Sequence, residues 1–291
     1  METLTIVLSA LLSLSSSSGL ILEQLVQGRI PSAVSVEQQA VRIDNRPSYQ
    51  VIQGKLDRVR VASRGITLET GLKIAAVDLE LDPVDLELAQ ANFQDLDRIR
   101  ESLEKPISGV ARLVLTEADL NLGLQSPEIL EQIQNTLNQA IASRASSGNL
   151  SYQITNLNLE FLGANRLQLE FKLNRSLDPA ASALNPEPPE SSTADNSRNG
   201  DRELEVVLAT TFQVVNGSSI RLSDPTGTIN QRPLSSRLLR GFAEGISDRL
   251  DLTSFTDDGI IARILQLEID EDKLELISFI RLDTKAQKSS M

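Results

Sequence analysis

Three groups of side chains in this chain have the type and spacing to do chemistry. Asp78, Glu80 and Asp82 alternate with Val77, Leu79 and Leu81, and carboxylates paired at fixed spacing can serve as general acid and base. Asp270, Glu271 and Asp272 stand in a row and could offer oxygen ligands to a hard cation. The third group is basic. Between Arg42 and Lys73 there are seven cations, including Arg58, Arg60 and Arg64, against Asp44, Asp57 and Glu69, a local +4 in a chain of net charge −12.

The first two groups have plainer explanations. Three carboxylates alternating with apolar residues are the pattern of a strand with one wet face. The run at Asp270 lacks the glycine and the distant glutamate of a calcium loop, so it reads as a polar turn. No metal site and no cofactor are expected. The chain has no histidine and no cysteine, which removes the usual base at neutral pH, the commonest metal ligand and the thiolate nucleophile. Nucleophile and phosphate motifs such as G-x-S-x-G, the P-loop and G-x-G-x-x-G are absent. A carboxylate-driven hydrolase is the only enzymatic reading left, and no residue is favoured for it. Nucleic acid is excluded as a partner, because an acidic chain with 3% aromatic residues supplies neither cations for phosphates nor stacking platforms. For the arginines two readings stand. Arg58 and Arg60 share a strand face opposite Val59 and Val61, and that face is either solvated with local ion pairs or an anion-attracting edge that meets lipid headgroups.

The elements that position these groups follow from periodicity. Ser48 to Glu69 reads as strand, kink and strand, with a change of parity just after Gly54. Leu72 to Asp82 also changes phase, since Leu72, Ile74 and Ala76 lie on one parity and Val77, Leu79 and Leu81 on the other; such a slip implies a bulge or bend. Asn156–Phe171 and Ile264–Phe279 share the pattern L-x-L-E, polar turn, basic residue, L-x-L, which predicts two hairpins and pairs Leu157 with Leu265. Two helices are expected. One runs from Pro127 to Ala145 with Ser126 as N-cap, its stripe formed by Ile129, Leu130, Ile133, Leu137 and Ile141. The other runs from about Leu234 to Leu250, with Leu238, Leu239, Phe242 and Ile246 on one face. Gly241 and Gly245 in the second helix read as ordinary tight packing. Thr116 with Asp119 is a capping-box pattern.

These elements sum to an α+β fold: a strongly curved, mostly antiparallel sheet wrapped around long amphipathic helices, with an apolar gap suited to acyl chains. Residues 1–22 read as an export signal or membrane-touching segment, or else as a helix that packs on the domain. Residues 23–175 and 202–285 form one domain. Residues 176–201, with four of the eleven prolines, form a disordered insertion, and 286–291 form a tail.

Asp44–Ile66, Ile107–Asn121 and Gly259–Leu282 together resemble the LmeA-like family of phospholipid-binding proteins. The resemblance implies an envelope-associated, non-catalytic protein that holds phospholipid in an elongated groove, similar to tubular lipid-binding domains. It implies a periplasmic or membrane-associated location, with a peripheral cytoplasmic one left open. The expected partners are phospholipid and a membrane surface. Arg58, Arg60 and Arg64 would meet the headgroup, and the stripes of the two helices would line the groove. The alternative is an interaction protein with a dry, packed core whose basic hairpin docks an acidic partner.

Overall fold

The computed structural model describes residues 34–68, 70–87, 96–142, 151–176 and 203–284. The expected N-terminal segment, the insertion after Ser176 and the tail lie outside those residues. In chain order the strands are β1 Val34–Asp44, β2 Lys55–Leu56, β3 Arg58–Leu68, β4 Lys73–Leu81, β5 Val84–Asp85, β6 Ile107–Thr116, β7 Ser151–Gly163, β8 Arg166–Ser176, β9 Leu204–Val215, β10 Ser219–Ile229, β11 Arg232–Pro233, β12 Ile260–Ile269 and β13 Lys273–Leu282. The helices are α1 Leu96–Ser102, α2 Glu117–Leu124, α3 Pro127–Ala142 and α4 Ser236–Ser247.

Mostly antiparallel strands with a few helices is the expected composition, but in place of one wrapped sheet the described residues form two large open ones and a two-stranded piece, β2–β5. One has six strands in the order β1-β3-β4-β6-β13-β12, and the other five in the order β11-β10-β9-β8-β7. α4 has 12 residues, shorter than expected, and α3 is described over 16, with the last three residues of its expected span outside the described ones. No helix among the described residues is long and apolar enough to cross a membrane.

Alternation builds the six-stranded sheet. Val59 and Val61 pair with Leu81 and Leu79, and Leu79 pairs with Ala111. All of these are buried, and α1 closes over them with Ile99 and Leu103. Side chains of this size contribute about 1.5–3 kcal/mol each when taken out of water, so this packed face is the main support of the domain. Arg58, Arg60, Asp78, Glu80 and Arg112 occupy the other parity.

Two details of the expected hairpin are corrected. Ser48–Gln53 is a 3-10 turn and not a strand, ended by Gly54 with φ 79, and the partner of β3 is β1. Tyr49 and Ile52 are 63% and 70% exposed, so their spacing reflects no core pattern. The phase change in β4 involves no register shift, because pairing with β3 runs in one register from Val59↔Leu81 to Thr67↔Lys73. The irregularity lies across the ladder at Gly65, with φ 61. A Cβ there would lie 2.4 Å from the Glu37 carboxyl, which crosses Gly65 to reach Lys73 Nζ at 2.9 Å.

Both hairpins at the repeated pattern are present, as β7–β8 and β12–β13. Leu157 and Leu265 are not equivalent, however. Leu157 is 6% exposed and Leu265 60%, because β12 slips register between Ile264 and Gln266, and the bulged residue turns outward.

The sheets join where turns of one meet the outer edge of the other. Ala164 and Asn165 both have positive φ (51 and 61), the backbone a two-residue hairpin turn requires. From this turn Asn165 accepts from Ile269 N–H through Oδ1 at 2.7 Å, donates its own N–H to Ile269 O at 3.0 Å, and accepts from Phe212 N–H at 2.8 Å. The turn between β9 and β10 adds Ile264 N–H to Gly217 O at 2.7 Å.

Asn165 therefore supplies both a left-handed backbone and a side-chain acceptor for the buried Ile269. We expect Asn165→Gly to lose about 1–3 kcal/mol in urea titration, from the orphaned Ile269 N–H. Asn165→Ala is expected to lose about 1 kcal/mol more because of the positive φ.

Candidate functional site

Strand alternation in the five-stranded sheet separates an apolar face from a polar one. Leu159, Leu169 and Leu208 pair in line across three strands, Phe161 pairs with Leu167, and Phe171 pairs with Val206. Between them on β8, Arg166, Gln168, Glu170 and Lys172 take the opposite face. A register shift between Thr155 and Asn158, with Asn156 at φ 51, lets Ile154 and Leu159 share the apolar face despite their opposite parity.

Helices frame this face on three sides. At one end Leu120 and Leu124 of α2 pack with Leu159, Phe161, Leu167 and Ile269. Along β10, α4 sets down Leu239 and Ala243, both buried. The approach is close at Gly227, where a Cβ would lie 2.7 Å from Leu208 Cδ2 and 3.1 Å from Leu239 Cδ2. Along the other side, side chains of α2 and α3 take the place of a neighbouring strand on the edge of β7. Glu117 accepts from Phe161 N–H at 2.7 Å. Asn121 accepts from Leu159 N–H and donates to Leu159 O, both at 2.7 Å. Gln134 accepts from Ile154 N–H at 2.6 Å and donates to Tyr152 O, and Asn138 accepts from Tyr152 N–H at 3.3 Å. Between α3 and α4 the floor is left half-buried at Phe171, Leu204 and Leu208.

Of the helix residues expected to line a groove, Ile129, Leu130 and Ile133 are half-buried on α3, and the side chains of Leu137 and Ile141 lie outside the described residues. On α4 the expected face is divided. Leu239 is buried and Ile246 half-buried, whereas Leu238 and Phe242 are exposed.

The arginines stand elsewhere, on the open face of the six-stranded sheet. Each is held by carboxylates: Arg58 and Arg60 by Glu80 at 3.3 and 3.2 Å, Arg60 also by Asp44 at 3.6 Å, and Arg64 by Asp78 at 2.7 Å. Farther across the sheet Arg112 donates to Asp78 at 3.0 Å and grips Glu275 with two bonds of 2.9 and 2.8 Å. This guanidinium holds the Glu275 carboxyl down to about 2, against an ordinary 4.5, and its own pKa is raised in return. The face carries a depression of about 550 Å³ lined by Arg42, Arg60, Glu80, Arg112, Val110 and Phe279. The three acids that alternate on β4 thus divide their roles: Asp78 and Glu80 neutralise arginines, and Asp82 borders the depression. Among the described residues no three acidic side chains converge to hold a metal ion. The turn at Asp270 is a hydrogen-bonded cap, in which Oδ1 accepts from Asp272 and Lys273 N–H.

The sequence reading missed Arg112 and Glu275, which are 163 residues apart in the chain and meet only through the β6–β13 pairing. It also did not single out Phe171 and Leu208. The uninterrupted alternation of β8 from Arg166 to Leu173 is the signal that points to the apolar floor.

The family model for LmeA-like phospholipid-binding proteins matches residues 19–278. The chain belongs to that family. Neither a curated protein nor a solved structure matches it. The LmeA-like match covers the four helices of the described residues and both large sheets up to Ser278 of β13, so the apolar floor and the Arg58–Glu275 ion pairs lie within the matched region.

Because Glu275 has a lowered pKa when folded, it contributes stability that is complete above about pH 4.5 and is lost as pH falls through about 2. Glu275→Gln should therefore flatten the acid dependence of stability in that window. It should also cost about 1–2 kcal/mol at neutral pH, both readable from denaturant midpoints across pH.

Proposed function

We propose that this protein binds phospholipid without transforming it, and holds or carries it at a membrane or cell envelope. The observation that carries this reading is the apolar floor at Phe171, Leu204 and Leu208, half-buried between α3 and α4 within a chain of the LmeA-like family. Acyl chains laid on that floor would take aliphatic and aromatic surface out of water at about 25 cal/mol per Å². In this reading the half-buried Ile129, Leu130 and Ile133 of α3 and Ile246 of α4 would flank the acyl chains on either side. Arg60, which lines the depression, is the best placed of the three arginines to exchange its carboxylates for a headgroup phosphate. Its present pairs are with side chains 40–51% exposed, and pairs of that kind hold by only about 0.2–1 kcal/mol.

The alternative, a basic hairpin docking an acidic partner, would have to displace Glu80, Asp44 and Asp78 from Arg58, Arg60 and Arg64, and it leaves the apolar floor without a role.

Organic extraction of the purified protein followed by mass spectrometry is expected to release phospholipid near one per chain. Phe171→Asp combined with Leu208→Asp should lower that content about tenfold or more, with far-UV circular dichroism unchanged. The reading fails if the unaltered protein yields no phospholipid and takes up no fluorescent lipid.

A further inference from the structure

On α4 the sequence pattern and the packing part company. At 100° per residue, Leu238, Phe242 and Gly245 fall within about 60° of one another, on a strip beside the buried face of Leu239 and Ala243. Leu238 is 42% exposed and Phe242 44%. The strip is unpartnered, for a Cβ built at Gly245 would meet nothing within 4 Å, which also corrects the expectation of tight packing there. Arg232, Arg237, Arg240 and Arg249 lie within or next to α4 in the chain, all exposed and none with a side-chain hydrogen bond or ion pair among the described residues; at 100° per residue Arg237 falls about 100° from Leu238, away from the buried face, and Arg240 lies on the far flank of the helix. They contrast with the arginines of the six-stranded sheet, where Arg42, Arg58, Arg60, Arg64 and Arg112 each have a carboxylate. From Arg232 to Leu250 only Glu244 and Asp248 oppose these four cations, a local +2 in a chain of −12.

An exposed Leu and Phe on a helix flanked by uncompensated arginines is the composition of a helix that lies in the headgroup layer of an anionic bilayer. Charge selects the occupant. A second copy of this stretch would bring a net +2 against +2, whereas lipid phosphates would neutralise it. We propose that α4 is the surface by which the protein docks on a membrane bearing anionic phospholipid, with Leu238 and Phe242 entering the headgroup layer and Arg237, on the solvent side next to them, meeting its phosphates. The inference rests on the phospholipid-binding reading and adds where the protein touches the bilayer: α4 is also one wall of the apolar floor, so docking there places the floor beside the membrane.

The chain contains no tryptophan, so Phe242→Trp installs a single reporter. Its emission should shift to the blue with phosphatidylglycerol vesicles, much less with phosphatidylcholine vesicles, and the shift should disappear in high salt and weaken with Arg237→Gln added. In flotation, Leu238→Ser with Phe242→Ser should lower partition onto phosphatidylglycerol vesicles about tenfold or more, while the phospholipid extracted per chain stays unchanged. Partition that survives these changes overturns the proposal. So does a blue shift that grows with protein concentration in the absence of vesicles, which would assign the strip to a second copy. If no phospholipid is extracted yet the tenfold loss is seen, the carriage reading falls and the docking surface stands.

Discussion

A strand at the margin of a sheet carries a row of unpaired N–H and C=O groups, and the architecture of this protein is arranged around satisfying two such margins. The outer strand of the six-stranded sheet, β12, is met by turns: Asn165 engages Ile269, and Gly217 accepts from Ile264. The outer strand of the five-stranded sheet, β7, is met by carboxylate and amide side chains of α2 and α3. The first arrangement couples the sheets; the second fixes where α3 runs. Both bear on the apolar floor, because the junction at Asn165 brings Ile269 onto its closed end and α3 forms its flank.

The two sheets divide the work of the molecule by polarity. The six-stranded sheet buries one face under α1 and neutralises the other with a chain of ion pairs that runs from Arg64 through Asp78 and Arg112 to Glu275. The five-stranded sheet keeps part of its apolar face within reach of solvent. Phe171 and Leu208 are left half-buried between two helices.

The parts of this fold legible in the sequence were those set by alternation and capping within a short window. Val59 and Val61 facing inward, the β7–β8 and β12–β13 hairpins, and the Thr116–Asp119 cap all belong to that class. Ser48–Gln53 misled because its apolar residues lie on an exposed turn, where spacing carries no information about burial. The exposure of Leu265 was hidden because a bulge shows itself only in the partner strand. The face of α4 looked single because a stripe about 100° wide does not reveal which of its margins the sheet covers. Arg112 with Glu275, and Gly227 beneath Leu208 and Leu239, were illegible for a common reason: their partners are brought by strand pairing from far along the chain.

The two walls of the floor differ in kind. α4 is interlocked, its Leu239 lowered over a glycine that leaves no room for a methyl group, so lifting it would open a void in packed apolar surface. On the facing side, the edge of β7 holds α3 by two side-chain hydrogen bonds to Gln134 and by one to Asn138. At about 0.5–1.5 kcal/mol each, these form a latch worth a few kcal/mol that can be released without unzipping any strand ladder. Of the two helices, α3 is therefore the one that can be displaced at small cost, with α4 fixed in place.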